Sequence, residues 1–215
     1  MSFQSNDELT YTFFVQFLNK MIKRYINTYW TIVDLLSRKF TIFSDFFYQK
    51  TISDEYDKEH KAIQLKKTDV ILHIGCGVFP YSAIVLSKKP HQKIVAIDKN
   101  FRIIHHARNI IHEKNLDDTI SIDVGDGGSY DLESFSVIIL SSCVDLTGNV
   151  LDHIIATAKP GTRFIIRELR PMSKHVKNYL KQKKDITLIH QYGTFSFPFY
   201  SILGWDSFII KKNGR

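Results

Sequence analysis

The chain of 215 residues is 44% hydrophobic and 24% charged, which is typical of a compact globular protein and excludes wholesale disorder. A formal net charge of +7 would suit an anionic partner such as RNA, a membrane surface or an acidic metabolite. No arginine-rich stripe or RNA-binding signature accompanies the charge, so we predict a solvated basic surface, with a nucleic-acid partner as the alternative. The two cysteines, Cys76 and Cys143, lie far apart and exclude a disulfide framework and a Cys-x-x-Cys metal site.

The N-terminal segment predicts neither secretion nor membrane insertion. Residues 1–10 are polar and include Asp7 and Glu8, which is unlike a secretory signal. No apolar run in the sequence approaches the length that crosses a bilayer. Together with the sparse cysteines, these features predict a cytoplasmic protein.

An aromatic segment, Tyr11–Tyr48, has apolar residues at helical spacing. Its most regular stripe includes Phe17, Met21 and Tyr25. This spacing predicts two or three amphipathic helices. We interpret residues 1–66 as an N-terminal helical annex that forms a lid. The alternative is a membrane-surface role, because basic residues lie among the aromatic ones.

From Thr68 onward, short β-rich runs alternate with helix-length connections. The predicted strands are Val70–Ile74, Lys93–Ile97, Thr119–Val124, Ser136–Leu140 and Arg163–Arg167, and the predicted helices are Ser82–Leu86, Phe101–Lys114, Asn149–Ala158 and Ser173–Lys183. This alternation indicates an α/β fold with a doubly wound, mostly parallel sheet. Ile186–Tyr192 and Trp205–Lys211 follow without an intervening helix, which predicts a C-terminal hairpin with a reversed strand and a total of seven strands. Residues 67–215 form this second domain.

The turn after the first predicted strand carries the most specific motif, Gly75-Cys-Gly77-Val-Phe-Pro80-Tyr-Ser82. Glycines at 75 and 77 allow a tight turn and let a ligand approach where a Cβ would collide. Asp98 follows the second strand, 21 residues after Gly77, where a carboxylate accepts hydrogen bonds from both ribose hydroxyls of an adenosine. The alternative for Asp98 is a cap on the next helix.

These features resemble those of class I S-adenosylmethionine-dependent methyltransferases. A nicotinamide dehydrogenase needs a third glycine, and this chain has Phe79 and Pro80 in its place. Gly125-Asp126 after the third strand, Lys159-Pro160-Gly161 before the fifth strand and the terminal hairpin match the methyltransferase pattern. The resemblance covers residues 68–212 and implies a Rossmann-like fold with S-adenosylmethionine as the cofactor.

The resemblance places the cofactor at the carboxyl ends of the first four strands. The predicted contact residues are Gly75, Cys76, Gly77, Asp98, Lys99, Gly125, Asp126 and Ser141. Asp126 corresponds to the family's acid that binds the adenine amino group. Its alternative is a purely structural turn, because the run from Gly125 to Gly128 is also ordinary turn sequence.

A closer local likeness is to nicotianamine synthases. The run from Gly75 to Ser82 is similar to the G-x-G-P-L-P-x-[ST] loop of that family. The resemblance implies the same fold, used to transfer the aminocarboxypropyl arm of the cofactor instead of its methyl group. Val78 replaces the family's first proline, and the annex is shorter than the family's helical domain. Tyr56 and Glu59 are the nearest candidates for the family's acceptor-binding glutamate.

The acceptor pocket must come from the annex, from Ser141–Asp145 and from Glu168–Met172, because the cofactor motifs fix only the adenosine. The catalytic candidates are Tyr56, Glu59, Tyr81 and Glu168. Neighbouring strand residues face opposite sides, so only one of Arg167 and Glu168 points into the pocket.

The histidines do not predict a metal site. His73 stands where many methyltransferases have an acid, and we expect it to be buried and hydrogen-bonded rather than a ligand. Those at positions 105, 106 and 112 share one helix and are expected to be solvated.

Three functions follow from this interpretation. The first is an S-adenosylmethionine-dependent methyltransferase that acts on a small-molecule acceptor. The second is a nicotianamine-synthase-like aminocarboxypropyl transferase, which makes a metal-chelating amino acid. The third is a non-catalytic binding module that keeps the fold. The sequence leaves the choice between methyl and arm transfer open, because a sulfonium has three electrophilic carbons and the acceptor pocket selects among them.

Overall fold

A computed structural model describes residues 53–91, 93–146, 149–193 and 204–214, and six isolated helical residues between positions 21 and 32. The helices are α1 (Ser53–Ile63), α2 (Tyr81–Leu86), α3 (Phe101–Glu113), α4 (Asn149–Thr157) and α5 (Ser173–Gln182), with a 3-10 turn at Arg170–Met172. The strands are β1 (Val70–Ile74), β2 (Lys93–Asp98), β3 (Ile120–Val124), β4 (Val137–Leu140), β5 (Arg163–Leu169), β6 (Ile186–Gly193) and β7 (Trp205–Lys212).

The strands form one seven-stranded sheet in the order β3-β2-β1-β4-β5-β7-β6. Strands β1 to β5 pair in parallel, and β7 runs antiparallel between β5 and β6. The predicted doubly wound, mostly parallel sheet with a reversed hairpin strand is therefore confirmed. Because the strand order reverses beside β1, the carboxyl ends of β1 and β4 flank a crevice of the kind where ligands bind in such sheets.

Alternate strand residues divide the core into two layers. Ile71, Ile139 and Ile165 belong to the layer beneath α1, α2 and α3. Leu72 and Phe164 belong to the opposite layer, beneath α4 and α5. This alternation decides which helices a given strand side chain can reach.

Helix α1 was not predicted from the sequence. Its buried residues, Tyr56, Glu59, His60 and Ile63, recur at helical spacing, but two of them are polar. A search for apolar periodicity assigns Glu59 and His60 to the solvent side and therefore overlooks the helix. Acidic residues in its first turn and basic residues in its last turn suit the helix dipole.

A buried ion pair holds α1 against the sheet. Arg167 on β5 makes two-pronged contact with Glu59, with Nε–Oε2 and Nη2–Oε2 distances of 3.0 and 2.6 Å. The same carboxylate accepts hydrogen bonds from Trp205 Nε1 and from the hydroxyl of Ser207, both on β7. Because both charged side chains are 2% exposed or less, their mutual contact is what makes burial of either charge tolerable.

A second arginine fixes the other end of α1. Arg163, at the start of β5, donates to the backbone carbonyls of Ile63 and Gln64 at 2.7 Å. It also pairs with the buried carboxylate of Asp69. Carbonyls at a helix C-terminus have no partner within the helix, so the guanidinium caps them. Helix α1 is thus attached to β5 at two points.

Most of the predicted annex helices lie outside the described residues. Of the predicted apolar stripe, Met21 and Tyr25 are helical and exposed, and Phe17 lies outside the described residues. In the described ranges, none of the helices has the length and apolar character needed to span a bilayer.

Replacing Glu59 with Ala is expected to reduce the free energy of unfolding by about 3–5 kcal/mol, because it leaves the Arg167 guanidinium buried without its counter-charge. Urea denaturation measures the change. The matched control is Lys58→Ala on the same helix, which removes an exposed pair with Glu55 and should cost less than about 1 kcal/mol. Equal losses in the two variants would show that the buried pair does not anchor α1.

Candidate functional site

The glycine turn between β1 and α2 is tied to the end of β2. Gly75 and Gly77 have φ angles of +80° and +69°, which are left-handed conformations that favour glycine. The amides of Gly75 and Cys76 donate to the Ile97 carbonyl at 2.8 and 3.0 Å. The Gly77 amide donates to the Asp98 carboxylate at 3.2 Å. The predicted motif residues Gly75, Gly77 and Asp98 therefore lie together at the carboxyl edge of the sheet.

The absence of a side chain at Gly75 serves the packing of the protein itself. A Cβ at this position would lie 2.5 Å from Cγ2 of Val144, which follows β4. The sequence interpretation gave the missing Cβ a role in ligand clearance. The structure adds two internal reasons for a glycine at this position, which are its positive φ and its contact with the loop after β4.

Asp98 organises the turn and keeps capacity for a ligand. One carboxylate oxygen accepts from Gly77, and the other accepts from the Asn100 amide at 3.0 Å. A carboxylate has about four lone-pair sites, so two remain for hydroxyl donors. The cap of α3 is Asn100, whose side chain accepts from the Arg102 amide, and not Asp98. Lys99 lies between them and is exposed.

The turn after β3 approaches the same edge. The Gly125 amide donates to the Asp98 carbonyl at 3.1 Å. A Cβ on Gly125 would lie 2.7 Å from the Tyr130 ring, so this glycine also makes room for a neighbouring side chain. Asp126 is exposed, and its carboxylate accepts from the Gly128 amide at 2.9 Å. Asp126 thus forms a turn hydrogen bond while its other oxygen faces no described donor.

Ser141 and His73 form a buried pair at the ends of β4 and β1. Ser141 Oγ and His73 Nε2 share a hydrogen bond of 2.8 Å. Burial, together with the nearby Arg167 charge, lowers the pKa of His73 to about 3, so the imidazole is neutral. The structure agrees with the expectation of a buried, bonded histidine. Its Nδ1 has no hydrogen-bond partner among the described residues.

Three of the four catalytic candidates gather around Arg167. The Tyr56 ring lies 4.0 Å from the guanidinium carbon, and its centroid is 6.2 Å from that of Tyr81. Glu59 is the ion-pair partner of the same arginine. The fourth candidate, Glu168, is the next strand residue and lies on the opposite side of the sheet, where its carboxylate accepts from the Leu169 amide.

Ser82 joins this cluster to the glycine turn. Arg167 Nη1 donates to Ser82 Oγ at 2.8 Å, and Ser82 lies in the first turn of α2, directly after the glycine motif. Burial opposes the charge on Arg167, but the Glu59 carboxylate, with smaller contributions from Tyr56 and Cys143, holds the pKa of the guanidinium above its ordinary value. Burial also raises the pKa of the Tyr56 phenol, so this group is protonated at neutral pH.

Several site residues were not found from the sequence. The sequence places Arg167 at a position that matches the nicotianamine synthase pattern and beside Glu168 at the pocket, but it does not pair Arg167 with Glu59. It also does not indicate Ser82 as a partner of Arg167, or Trp205 and Ser207 as partners of Glu59. No local pattern brings residues 59, 82, 167 and 207 together, so only the sheet topology could reveal them. In the described ranges, no group of three potential metal ligands is close enough to hold an ion.

The comparisons with known proteins agree with this architecture. Residues 42–197 match the family model of protein-L-isoaspartate(D-aspartate) O-methyltransferase. No curated protein matches the chain. Because the matched range runs from before α1 to beyond β6, it includes the glycine turn, Asp98 and the Arg167 cluster.

Solved structures with this fold differ in how much of the chain they match. A point mutant of MtNAS, a nicotianamine synthase, gives a TM-score of 0.72 at 14% identity over 91% of this chain and 76% of that one. The cyclase SpnF gives 0.62 at 12% identity over 76% of this chain and 82% of that one. A tRNA methyltransferase from M. jannaschii gives 0.58 at 20% identity over 75% of this chain but only 49% of its own.

Replacing Gly75 with Ala tests the packing role of this glycine. We expect a loss of about 2–5 kcal/mol in the free energy of unfolding, from left-handed strain and overpacking against Val144. Gly161→Ala is the control, because Gly161 has a φ of +85° but nothing within 4 Å of its Cβ position. The control should lose only about 1–2 kcal/mol. A second substitution, Val144→Ala, should recover part of the Gly75→Ala loss. Equal losses of unfolding free energy in Gly75→Ala and Gly161→Ala would contradict a packing role for the contact between Gly75 and Val144.

The buried imidazole of His60 predicts a pH dependence of stability. Burial lowers its pKa to about 4, whereas an unfolded histidine titrates near 6.5. Between these values the unfolded chain binds a proton that the folded chain does not, so stability falls as the pH falls. The slope of the unfolding free energy should include on the order of 1 kcal/mol per pH unit from this residue, and His60→Gln should remove it. If the unfolding free energy of His60→Gln has the same pH dependence as that of the wild type, the group with the lowered pKa is a different residue.

Proposed function

This chain belongs to the protein-L-isoaspartate(D-aspartate) O-methyltransferase family, and on that premise we propose that it transfers the methyl group of S-adenosylmethionine to a small-molecule acceptor. The chain has the class I methyltransferase fold, S-adenosylmethionine is its cofactor, and its activity is that of a transferase. Which group is transferred, the kind of acceptor and the role of each residue are our proposals. The observation that carries them is the position of Arg167, which donates to Ser82 beside the glycine turn and pairs with Glu59 on helix α1.

The described residues fit an adenosine with a charged amino-acid arm. Asp98 retains lone pairs for the two ribose hydroxyls after accepting from two amides. Asp126 is exposed on the adjacent turn and is proposed to accept from the adenine amino group. Gly77 keeps the intervening backbone free of a side chain. We propose that Cys76, Lys99, Gly125 and Ser141 complete the lining of this site.

S-adenosylmethionine supplies an electrophilic methyl carbon on a positively charged sulfur. The protein then needs to hold an acceptor in line with that carbon and keep water out. The Tyr56, Tyr81 and Phe79 side chains, which are 6–9% exposed, line the side of the glycine turn that faces α1. The ring centroids lie 6.2 and 6.3 Å apart, so an acceptor that contacts rings packed this closely would have to be small, which favours a small molecule over a folded macromolecule.

Glu59 is proposed to position α1 and not to exchange protons with the acceptor. Its oxygens are occupied by Arg167, Trp205 and Ser207, and the side chain is fully buried. Deprotonation of an acceptor by Glu59 would require breaking the ion pair. Tyr56 and Tyr81 remain the proposed acceptor contacts, because their rings border the turn while Glu168 lies on the other side of the sheet.

The second candidate function is transfer of the aminocarboxypropyl arm. The two MtNAS structures match 91% and 94% of this chain, whereas the other six solved structures compared match 70–76%. The predicted C-terminal domain, residues 67–215, makes up about the same fraction of the chain as these six structures match. The extra coverage favours a shared N-terminal segment, and in the proposed geometry this segment adjoins the acceptor.

The by-product of turnover separates the two functions. The protein is incubated with S-adenosylmethionine and a panel of acceptors that includes isoaspartyl peptides, free carboxylic acids and amino acids. S-adenosylhomocysteine among the products supports methyl transfer, and methylthioadenosine supports transfer of the arm. Cofactor binding without either product, across the panel, would contradict a small-molecule transferase and favour a binding module.

Asp98→Ala is expected to weaken binding of S-adenosylhomocysteine about ten- to a hundredfold, because a charge-assisted contact to the ribose is lost. Calorimetry measures the affinity. Asp131→Ala is the matched control, since its carboxylate also accepts a backbone amide two residues on, at 3.0 Å, but belongs to the loop between β3 and β4 and not to the glycine turn. Unchanged affinity in a folded Asp98 variant would remove this residue from the cofactor site.

A further inference from the structure

The positive charge of the chain is concentrated in one segment. Residues 170–193 contain six Lys or Arg residues and one acidic residue, Asp185, and therefore carry +5 of the formal net charge of +7. This segment comprises the 3-10 turn, helix α5 and the edge strand β6. The remaining chain carries only +2, so most of the net positive charge lies in this segment.

Helix α5 presents its lysines as a row. Val176 and Leu180 are buried in the core, which fixes the rotation of the helix. Lys174, Lys177 and Lys181 then fall on one stripe at spacings of three and four residues. At a rise of 1.5 Å per residue, the row spans about 10 Å. We call this row, with Asn178 and Gln182, the basic face.

The charges of the basic face are not neutralised by the described part of the protein. Lys183, next to the face, pairs with Asp152 at 2.8 Å, and Arg170 lies 3.7 Å from Asp206. The three lysines of the face have no ion pair among the described residues. They are therefore available to an external anion without breaking an internal contact.

We propose that the basic face binds RNA through its phosphate backbone. The face consists of lysines and amide side chains, and its apolar neighbours Val176 and Leu180 are buried. A protein interface needs an apolar centre, and a membrane-surface helix needs exposed apolar residues, whereas nucleic-acid interfaces are polar and positively charged. A row about 10 Å long is also too extended for a compact metabolite and matches about three phosphates of one strand.

The amide side chains favour RNA over DNA. Asn178 and Gln182 are exposed on the same stripe as the lysines. An amide can donate to a phosphate and accept from a 2′-hydroxyl, and the 2′-hydroxyl is the group that distinguishes RNA from DNA. The basic face is independent of the proposed cofactor site, because α5 packs on the layer of the core opposite to α1 and α2.

Fluorescence anisotropy with a labelled single-stranded RNA tests the proposal. Three phosphate contacts predict a slope of about −2 in a plot of log affinity against log salt concentration. The triple variant Lys174→Gln, Lys177→Gln and Lys181→Gln should bind at least tenfold more weakly and lose this slope. The control variant Lys67→Gln, Lys88→Gln and Lys93→Gln has the same net charge, alters exposed lysines elsewhere, and should bind like the wild type.

Two further measurements test the preference for RNA and the independence from the cofactor site. Asn178→Ala with Gln182→Ala should reduce the preference for RNA over DNA of the same sequence. Affinity for S-adenosylhomocysteine should be unchanged in every variant, which separates this proposal from the proposed enzymatic function. Equal weakening in the two lysine variants would overturn the proposal, because net charge alone would explain the binding. Retention on anionic vesicles but not on RNA would overturn it in favour of a membrane surface.

Discussion

The buried contact between Glu59 and Arg167 is the interaction on which the site depends. Two charges with almost no exposure are stable only while each satisfies the other, so the position of α1 is fixed relative to β5. The same guanidinium holds Ser82, next to the glycine turn, and supports the Tyr56 ring. One arginine thereby fixes the distance between the glycine turn and the helix that borders the proposed acceptor space.

This arrangement separates positioning from chemistry. Glu59 has the residue type of an acid or base, but its oxygens are committed to three internal donors. Glu168 also has that residue type, but it lies on the other side of the sheet. In our proposal, the reaction depends on placement of the acceptor by the aromatic residues. This agrees with the chemistry of a sulfonium, whose transfer is governed by alignment.

The glycine turn shows that one sequence motif can serve two purposes. Gly75 is required by its own φ and by Val144, while Gly77 and Asp98 connect the turn to β2. A substitution at Gly75 therefore reports on folding before it reports on the ligand. Asp98 is the better probe, because its carboxylate keeps lone pairs beyond those that the turn uses.

The sequence by itself determined the sheet, because the alternation of strands and helices is a local pattern with a known period. It also identified Gly75, Gly77, Asp98 and Asp126, since these residues lie in turns next to strand ends. It could not determine helix α1, because the ion pair that buries Glu59 joins residues 108 positions apart and hides the helical periodicity. Only the tertiary structure decided that Arg167 faces α1 and Glu168 faces away, since adjacent strand residues point to opposite sides and the sequence does not specify which side is which.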